Sequence, residues 1–253
     1  MARNATVIHS AAAIEGIRRA AQATGAVLRQ LGETVRPGLS TLDLDRGAAE
    51  LIRQVGGESA FLGYHGFPGS ICISLNEEII HGIGRADRII APGDLVSMDV
   101  GVRLRGYVGD SACTVCAGGA PQGLAAELLR AAGEALAAGI AKACAGNYVN
   151  DISSAIEAVV RGHGFAVVRD FVGHGCGREL HEPPEIPNFA QPSPGARLQP
   201  GMVLAIEPMV NTGSHRVEID RLDHWTVRTA DGGLSAHVEH MVLITRDKPE
   251  ILT

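Results

Sequence analysis

Asp99, Asp110, Glu207 and Glu239 sit in apolar runs that a free carboxylate does not favour, and His174 sits in a glycine-rich stretch, Gly173-His174-Gly175-Cys176-Gly177. Asp99 and Asp110 are 11 positions apart in a segment, 95–116, that alternates and turns back near Leu104-Arg105-Gly106. A hairpin turning on Leu104 and Arg105 sets the two aspartates directly opposite, with Cβ atoms roughly 4.5–5.5 Å apart. Such a pair repels unless a cation or a proton lies between its members, and Val96, Met98, Val100 and Val108 leave it little solvation. Two strand-end aspartates facing water are the alternative. Glu207 stands inside Met202–Val210 and Glu239 inside His237–Ile244, each read as the middle of an apolar strand, where a carboxylate is costly unless paired or coordinated.

One such carboxylate is usually an ion pair. Four with a histidine are hard to satisfy from arginines, and suit hard or borderline divalent cations. Two ions about 3.5–4 Å apart need bridging carboxylates and leave room for a bridging water whose pKa they lower. His81 and His181 are not needed as ligands. They become candidates for proton transfer or substrate binding, with an ordinary structural histidine as the alternative for each.

Other catalytic templates fail. His181-Glu182-Pro183-Pro184-Glu185 lacks the second histidine of HExxH, and its prolines forbid the helix. GxSxG, Walker A and GxGxxG patterns do not occur. Cys176 close to His174 is poorly placed for a thiol–imidazole pair. Cys113 and Cys116 form a single CxxC in a strand-like run, where positions i and i+3 point to opposite faces, so they read as structural.

The elements that must position these residues are legible from period and punctuation. Apolar residues at helical spacing over Met1–Leu31, interrupted by Glu15, Arg18, Arg19 and Gln22, predict an amphipathic helix rather than a signal peptide. A turn at Val35–Thr41 precedes a helix from Leu42 to about Val55, stopped by Gly56-Gly57. Ile71–Leu75 reads as a strand, 95–116 as a hairpin, and Leu124–Ala145 and Val149–Gly162 as helices. The stretch 183–201 holds six prolines and reads as an ordered surface loop. Strands resume near 202–210, 225–229 and 237–245.

An internal echo runs through this order. Pro92-Gly93, an apolar run and Asp99 recur as Pro200-Gly201, an apolar run and Glu207 at the same offset of seven, each after an HGxG, His81–Gly84 and His174–Gly177. Chance is the alternative. A duplication predicts two related halves and one site built at their interface.

Composition narrows the class. The chain has 253 residues, 45% hydrophobic and 4% aromatic, which supports a large aliphatic core. A net charge of −6 without a basic run argues against nucleic-acid or anionic-membrane binding. No window approaches the roughly 20 apolar residues of a membrane span. Five cysteines without a secretory signal argue against a disulfide framework, and a cytoplasmic location is expected.

Taken together, these residues resemble the methionine aminopeptidases of the short bacterial type I form, along essentially the whole chain. The resemblance is carried by Leu62-Gly63-Tyr64-His65-Gly66-Phe67-Pro68, Asn76-Glu77 with His81-Gly82-Ile83, Asp99 with Gly109-Asp110, Gly173–Arg178 with His181-Glu182, Ile206-Glu207-Pro208-Met209, and Val238-Glu239-His240. It implies an α+β pita-bread fold in a single catalytic domain, with pseudo-two-fold halves of roughly 1–122 and 123–253, an antiparallel sheet core and helices outside. It also implies two divalent ions, Co, Mn, Fe or Zn, with Asp99 chelating one, Asp110 and Glu239 bridging both, and His174 and Glu207 binding the other. His81, His181 and Glu207 form the implied catalytic set. His81 assists the substrate amine and proton transfer, His181 contacts the scissile amide, and a bridging hydroxide attacks the first peptide carbonyl.

The implied methionine pocket comprises Phe61, Tyr64, Phe67, Cys72, Leu180 and Trp225. Phe61 and Leu180 depart from the commoner small residue and aromatic, and His237 stands where glutamine is often found, beside Glu239. The 32 residues from Glu207 to Glu239 leave no room for the type II insertion. The implied substrates are nascent N-termini with a small second residue, met by a monomer with at most transient ribosome contact, and no N-terminal extension of the ribosome-recruiting kind is expected. The start, Met1-Ala2, is itself substrate-like. An X-Pro aminopeptidase or dipeptidase of the same fold is one alternative, and a non-catalytic pita-bread binding protein is another.

Overall fold

Ser10 opens the first helix, its hydroxyl accepting from the Ala13 N–H, so that α1 (Ala11–Thr34) buries the stripe Ile17, Ala20, Ala21, Val27, Leu28 and Leu31. The computed structural model describes residues 6–253, so the part of the amphipathic reading that falls on residues 1–5 lies outside the described residues. Helix α2 (Thr41–Gln54) is set by a reciprocal capping box between Ser40 and Asp43. Strands β1 (Glu58–Ser59), β2 (Cys72–Leu75), β3 (Glu78–Ile80), β4 (Leu95–Leu104) and β5 (Tyr107–Cys116) follow. Then come α3 (Gly123–Lys142), α4 (Val149–Gly162), β6 (Ala166–Val167), β7 (Gly173–Gly175), β8 (Glu182–Ile186), β9 (Val203–Ile206) and β10 (Met209–Asn211). The chain closes with β11 (Val217–Ile219), β12 (Val227–Thr229), β13 (Ser235–His237), β14 (His240–Leu243) and β15 (Glu250–Ile251).

Every strand pairing among the described residues is antiparallel. Helices α1 and α2 cover the sheet β1-β4-β2, with β5 hairpinned onto β4, and the core between them holds Val27, Leu31, Leu44, Ile52, Ile73, Val96 and Met98. Helices α3 and α4 pack on the sheet β15-β14-β9-β7-β8 through Leu128, Ala132, Ile152, Ile156, Leu204 and Val242. The Pro-Gly echo is also a backbone echo. Gly93 (φ 89°) and Gly201 (φ 93°) occupy left-handed turns just before β4 and β9.

Four expectations need correction. The hairpin turns on Arg105 (φ 52°) and Gly106 (φ 80°), the two positive φ angles of a type I′ turn, not on Leu104-Arg105. Leu104 therefore faces Tyr107, Asp99 faces Ala112 and Asp110 faces Gly101, so the aspartates are diagonal neighbours on one face. Glu207 and Glu239 lie in breaks, not in mid-strand. Strands β9 and β14 pair in one sheet while β10 and β13 pair in another, so both chains change sheets at the glutamates, where the Val238 N–H donates to the Pro208 carbonyl at 3.4 Å. The proline-rich stretch does contain a strand, β8, which sits at a sheet edge where missing N–H donors are tolerated. The third helix ends at Lys142, three residues short of expectation.

Candidate metal centre

Asp99 lies on β4 with Cys72 of β2 on one flank and Ala112 of β5 on the other. From the other side, the Glu239 N–H donates to the Ala112 carbonyl at 2.9 Å and the Ser111 hydroxyl donates to the Glu239 carbonyl at 2.9 Å. The Thr114 hydroxyl adds a bond to the His237 carbonyl at 2.8 Å and accepts the His237 N–H at 3.0 Å. These bonds stitch the segment carrying Glu239 onto the strand carrying Asp110. Among the described residues, Asp99, Asp110 and Glu239 each present an oxygen within 4.8 Å of the others. His174 Nε2 stands 3.7 Å from Asp110 Oδ2 and 3.3 Å from Glu207 Oε1. The five residues singled out by type and spacing are thus brought together.

The donor set fits cations. Asp99 Oδ1, Asp110 Oδ1 and Glu239 Oε1 are buried with no hydrogen-bond donor, and the ion pairs among the described residues bring Asp110 and Glu207 only histidine rings, never Lys or Arg. Burial pushes the Asp99 carboxyl up to about 7, against the pull of His237. Asp110 and Glu239 are raised well above the carboxylate range, by burial first and then by the neighbouring negative charge. Glu207 goes the other way. Burial opposes it, but the His237 hydrogen bond and the His174 ring hold it below the usual range. The Gly175 carbonyl accepts from His174 Nδ1 at 2.9 Å, which assigns the proton to Nδ1 and frees Nε2 as an electron-pair donor. Asn188 secures Glu207 by donating to its carbonyl at 3.1 Å.

The cluster forms one wall of a cavity of about 80 Å³, whose remaining walls are Phe61, Tyr64, Phe67, Cys72, His81, Leu180, His181 and Trp225. All six expected pocket residues are there. His81 has φ 58° and packs edge-on against Phe171 and Trp225, at 5.4 and 6.4 Å between ring centroids. Burial lowers its pKa to about 4, so the ring is neutral at neutral pH. His181 stands at the mouth, its Nδ1 2.8 Å from the Tyr64 hydroxyl and its ring 4.3 Å from that of His174. Partial burial, then the proximity of His174, lowers its pKa as well. A groove of about 640 Å³ leads away past Phe171, Pro183, Pro184, Pro187 and Pro194.

Sequence reasoning missed three contributors. His237 reaches Glu207 Oε2, at 3.3 Å, rather than Glu239. Tyr64 appeared only as a pocket wall, although it holds His181. His9 meets Glu182 at 3.1 Å in a buried pair, while the other oxygen of Glu182 accepts from the Arg178 and Glu179 N–H groups and so fixes the loop that carries Leu180 and His181. Tyr64 and His237 were legible in the sequence only in other roles, Glu182 only as part of the run at 181–185, and His9 carried no sequence signal. Cys176 is buried with its thiol raised well above the ordinary range, by burial and then by Asp110 and Glu239, which suits packing and not nucleophilic attack. Cys113 and Cys116 pack into separate cores on opposite faces of β5, as expected.

The model of metallopeptidase family M24 matches residues 15–246. The chain belongs to metallopeptidase family M24. It is 45% identical over 247 residues to a methionine aminopeptidase of Clostridium acetobutylicum, covering 98% of each chain. It is 44% identical to methionine aminopeptidase 1 of Bacillus subtilis, covering 94% of each. The crystal structure of a methionine aminopeptidase from Thermotoga maritima superposes with a TM-score of 0.95 at 39% identity, covering 98% of this chain and 99% of that one. A prolidase from Pyrococcus furiosus, at 22% identity and a TM-score of 0.78, shares the fold. This M24 chain therefore has the α+β pita-bread architecture, and its family uses divalent metal. No helix among the described residues is long and apolar enough to cross a membrane.

Proposed function

We propose that this metallopeptidase removes the N-terminal methionine from nascent proteins and peptides with a small second residue, as a type I methionine aminopeptidase. One observation carries the reading: donor-less carboxylate oxygens form the floor of a small cavity whose other side is walled by Phe61, Phe67, Leu180 and Trp225, next to a larger groove that shares His81, His174, His181 and Glu207 with it. The catalytic unit is a single domain whose halves, roughly 1–122 and 123–253, meet at that floor. It works in the cytoplasm as a monomer, with at most transient ribosome contact.

Asp99, Asp110, His174, Glu207 and Glu239 would hold two divalent ions drawn from Co, Mn, Fe and Zn, the donor-less oxygens of Asp99, Asp110 and Glu239 being the natural ligands. When bound, divalent metal would offset the carboxylate charge and supply Lewis-acid polarisation and an acidified water. The rest falls to the chain. The apolar wall takes the methionine side chain, a flexible thioether that fills irregular space well. Neutral His81 accepts a hydrogen bond from the substrate amine and relays protons. His181, braced by Tyr64, contacts the scissile amide. Glu207, braced by His237 and Asn188, keeps its charge and position.

Methionine released from Met-Ala-Ser in a metal-dependent manner supports this reading. Release of alanine alone, from Ala-Pro-Ala, would assign the chain to the X-Pro class, and failure to bind any divalent ion would assign it to a binding role. His237→Ala should weaken metal affinity by roughly 10–100-fold, because the partner of a ligand orients it. His237→Gln should recover most of the loss, as read by metal titration.

A further inference from the structure

Gly101 lies on β4 two residues after Asp99, on the same face, and opposite Asp110. A Cβ atom built there would lie 2.5 Å from Phe61 Cε1, 2.9 Å from Phe61 Cδ1 and 3.0 Å from the Ala60 Cβ. Its backbone is not in the left-handed region, so conformation does not demand glycine at 101. Space does. The Phe61 ring fills the volume that a side chain would take, and it is held there: the Ala60 N–H donates to the Gly101 carbonyl at 2.9 Å, and the Ser59 hydroxyl accepts the Phe61 N–H at 3.1 Å. Phe61 is 7% exposed and forms a wall of the site cavity together with Leu180.

We propose that Gly101 and Phe61 form a coupled specificity pair, in which the absent side chain at 101 seats the Phe61 ring against β4 and the seated ring sets the bore of the side-chain pocket. The pair rests on the pocket reading given above. A side chain at 101 has to displace the Phe61 ring, and that ring lines the cavity, so a change at 101 is felt in the pocket. Gly101 is thus a specificity determinant although no substrate atom need touch it. A narrow bore admits an unbranched thioether and rejects a β-branched or aromatic first residue.

Steady-state kinetics on Met-Ala-Ser and Phe-Ala-Ser peptides with wild type, Gly101→Ala, Phe61→Ala and the double variant test this. Gly101→Ala is expected to raise KM for the Met peptide about tenfold or more, the scale of one methyl-sized misfit in an apolar pocket, with metal affinity unchanged by titration. Phe61→Ala is expected to shift the Phe/Met ratio of kcat/KM toward phenylalanine by about tenfold or more. Adding Phe61→Ala to Gly101→Ala is expected to remove the KM penalty. A penalty that persists in the double variant, a Gly101→Ala enzyme with wild-type KM, or loss of metal in Gly101→Ala would overturn the pair. Methionine release by the wild type separates the two claims. Its absence would sink the pocket reading itself, whereas additive effects with release intact would sink only the coupling.

Discussion

Asp110→Asn loses methionine release by on the order of 10³-fold or more, and loses bound metal with it. Asp110 is 3% exposed, shares its oxygen cluster with Asp99 and Glu239, and lies 3.7 Å from His174 Nε2. A neutral amide there keeps the shape but withdraws one negative charge and one donor-less oxygen from the proposed ligand set. His81→Ala behaves differently. It costs rate on the order of 10²-fold, as expected for a group that moves protons, while the metal content stays at the wild-type value. Metal analysis of the two purified variants checks the pair, and loss of metal from His81→Ala would show that its assigned role is wrong.

The second large effect is a reversed pH dependence of stability in the chelator-treated protein. A carboxyl whose pKa is raised by folding takes up a proton as the chain folds, so between the unfolded value of 3.8 and the folded value of about 7, Asp99 makes stability fall as pH rises. Asp110 and Glu239 are shifted in the same direction. Glu207, held low, contributes the opposite slope at the acid end. Urea midpoints of the metal-free protein should therefore fall from pH 5 to pH 7, and saturating divalent metal should flatten or invert that slope, since it favours the charged carboxylates and binds only the folded chain. A metal-free protein that grows steadily more stable up to pH 7 would contradict the burial argument.

Much of this was legible in the residues. The four candidate carboxylate ligands needed only the argument that a buried carboxylate must be paired or coordinated, His174 stood out by its glycine-rich stretch, and the capping of α2 and the extent of α4 followed from local chemistry. What was not legible depended on register and on which strands share a sheet. Moving the hairpin turn by one residue, onto Arg105-Gly106, changed Asp99 and Asp110 from direct to diagonal neighbours. Glu207 and Glu239 look mid-strand in sequence because apolar residues run through both, yet the runs are shared between two sheets and the glutamates mark the crossing. Prolines concealed β8, because only the fold reveals that this strand is an edge. His237 drew notice for its sequence neighbour Glu239, while the pairing of β13 with β10 sets it opposite Met209, two residues past Glu207, and its ring reaches that glutamate.

Five side chains from both halves of the chain, Asp99 to Glu239, are proposed to hold two cations that serve methionine release. Calorimetric titration of divalent metal into the chelator-treated protein, with free methionine from Met-Ala-Ser assayed at each step, tests it directly. The account predicts binding that saturates at two ions per chain, with release rising as the sites fill. Release that proceeds at full rate without metal, or metal that binds without any release of methionine, would contradict it.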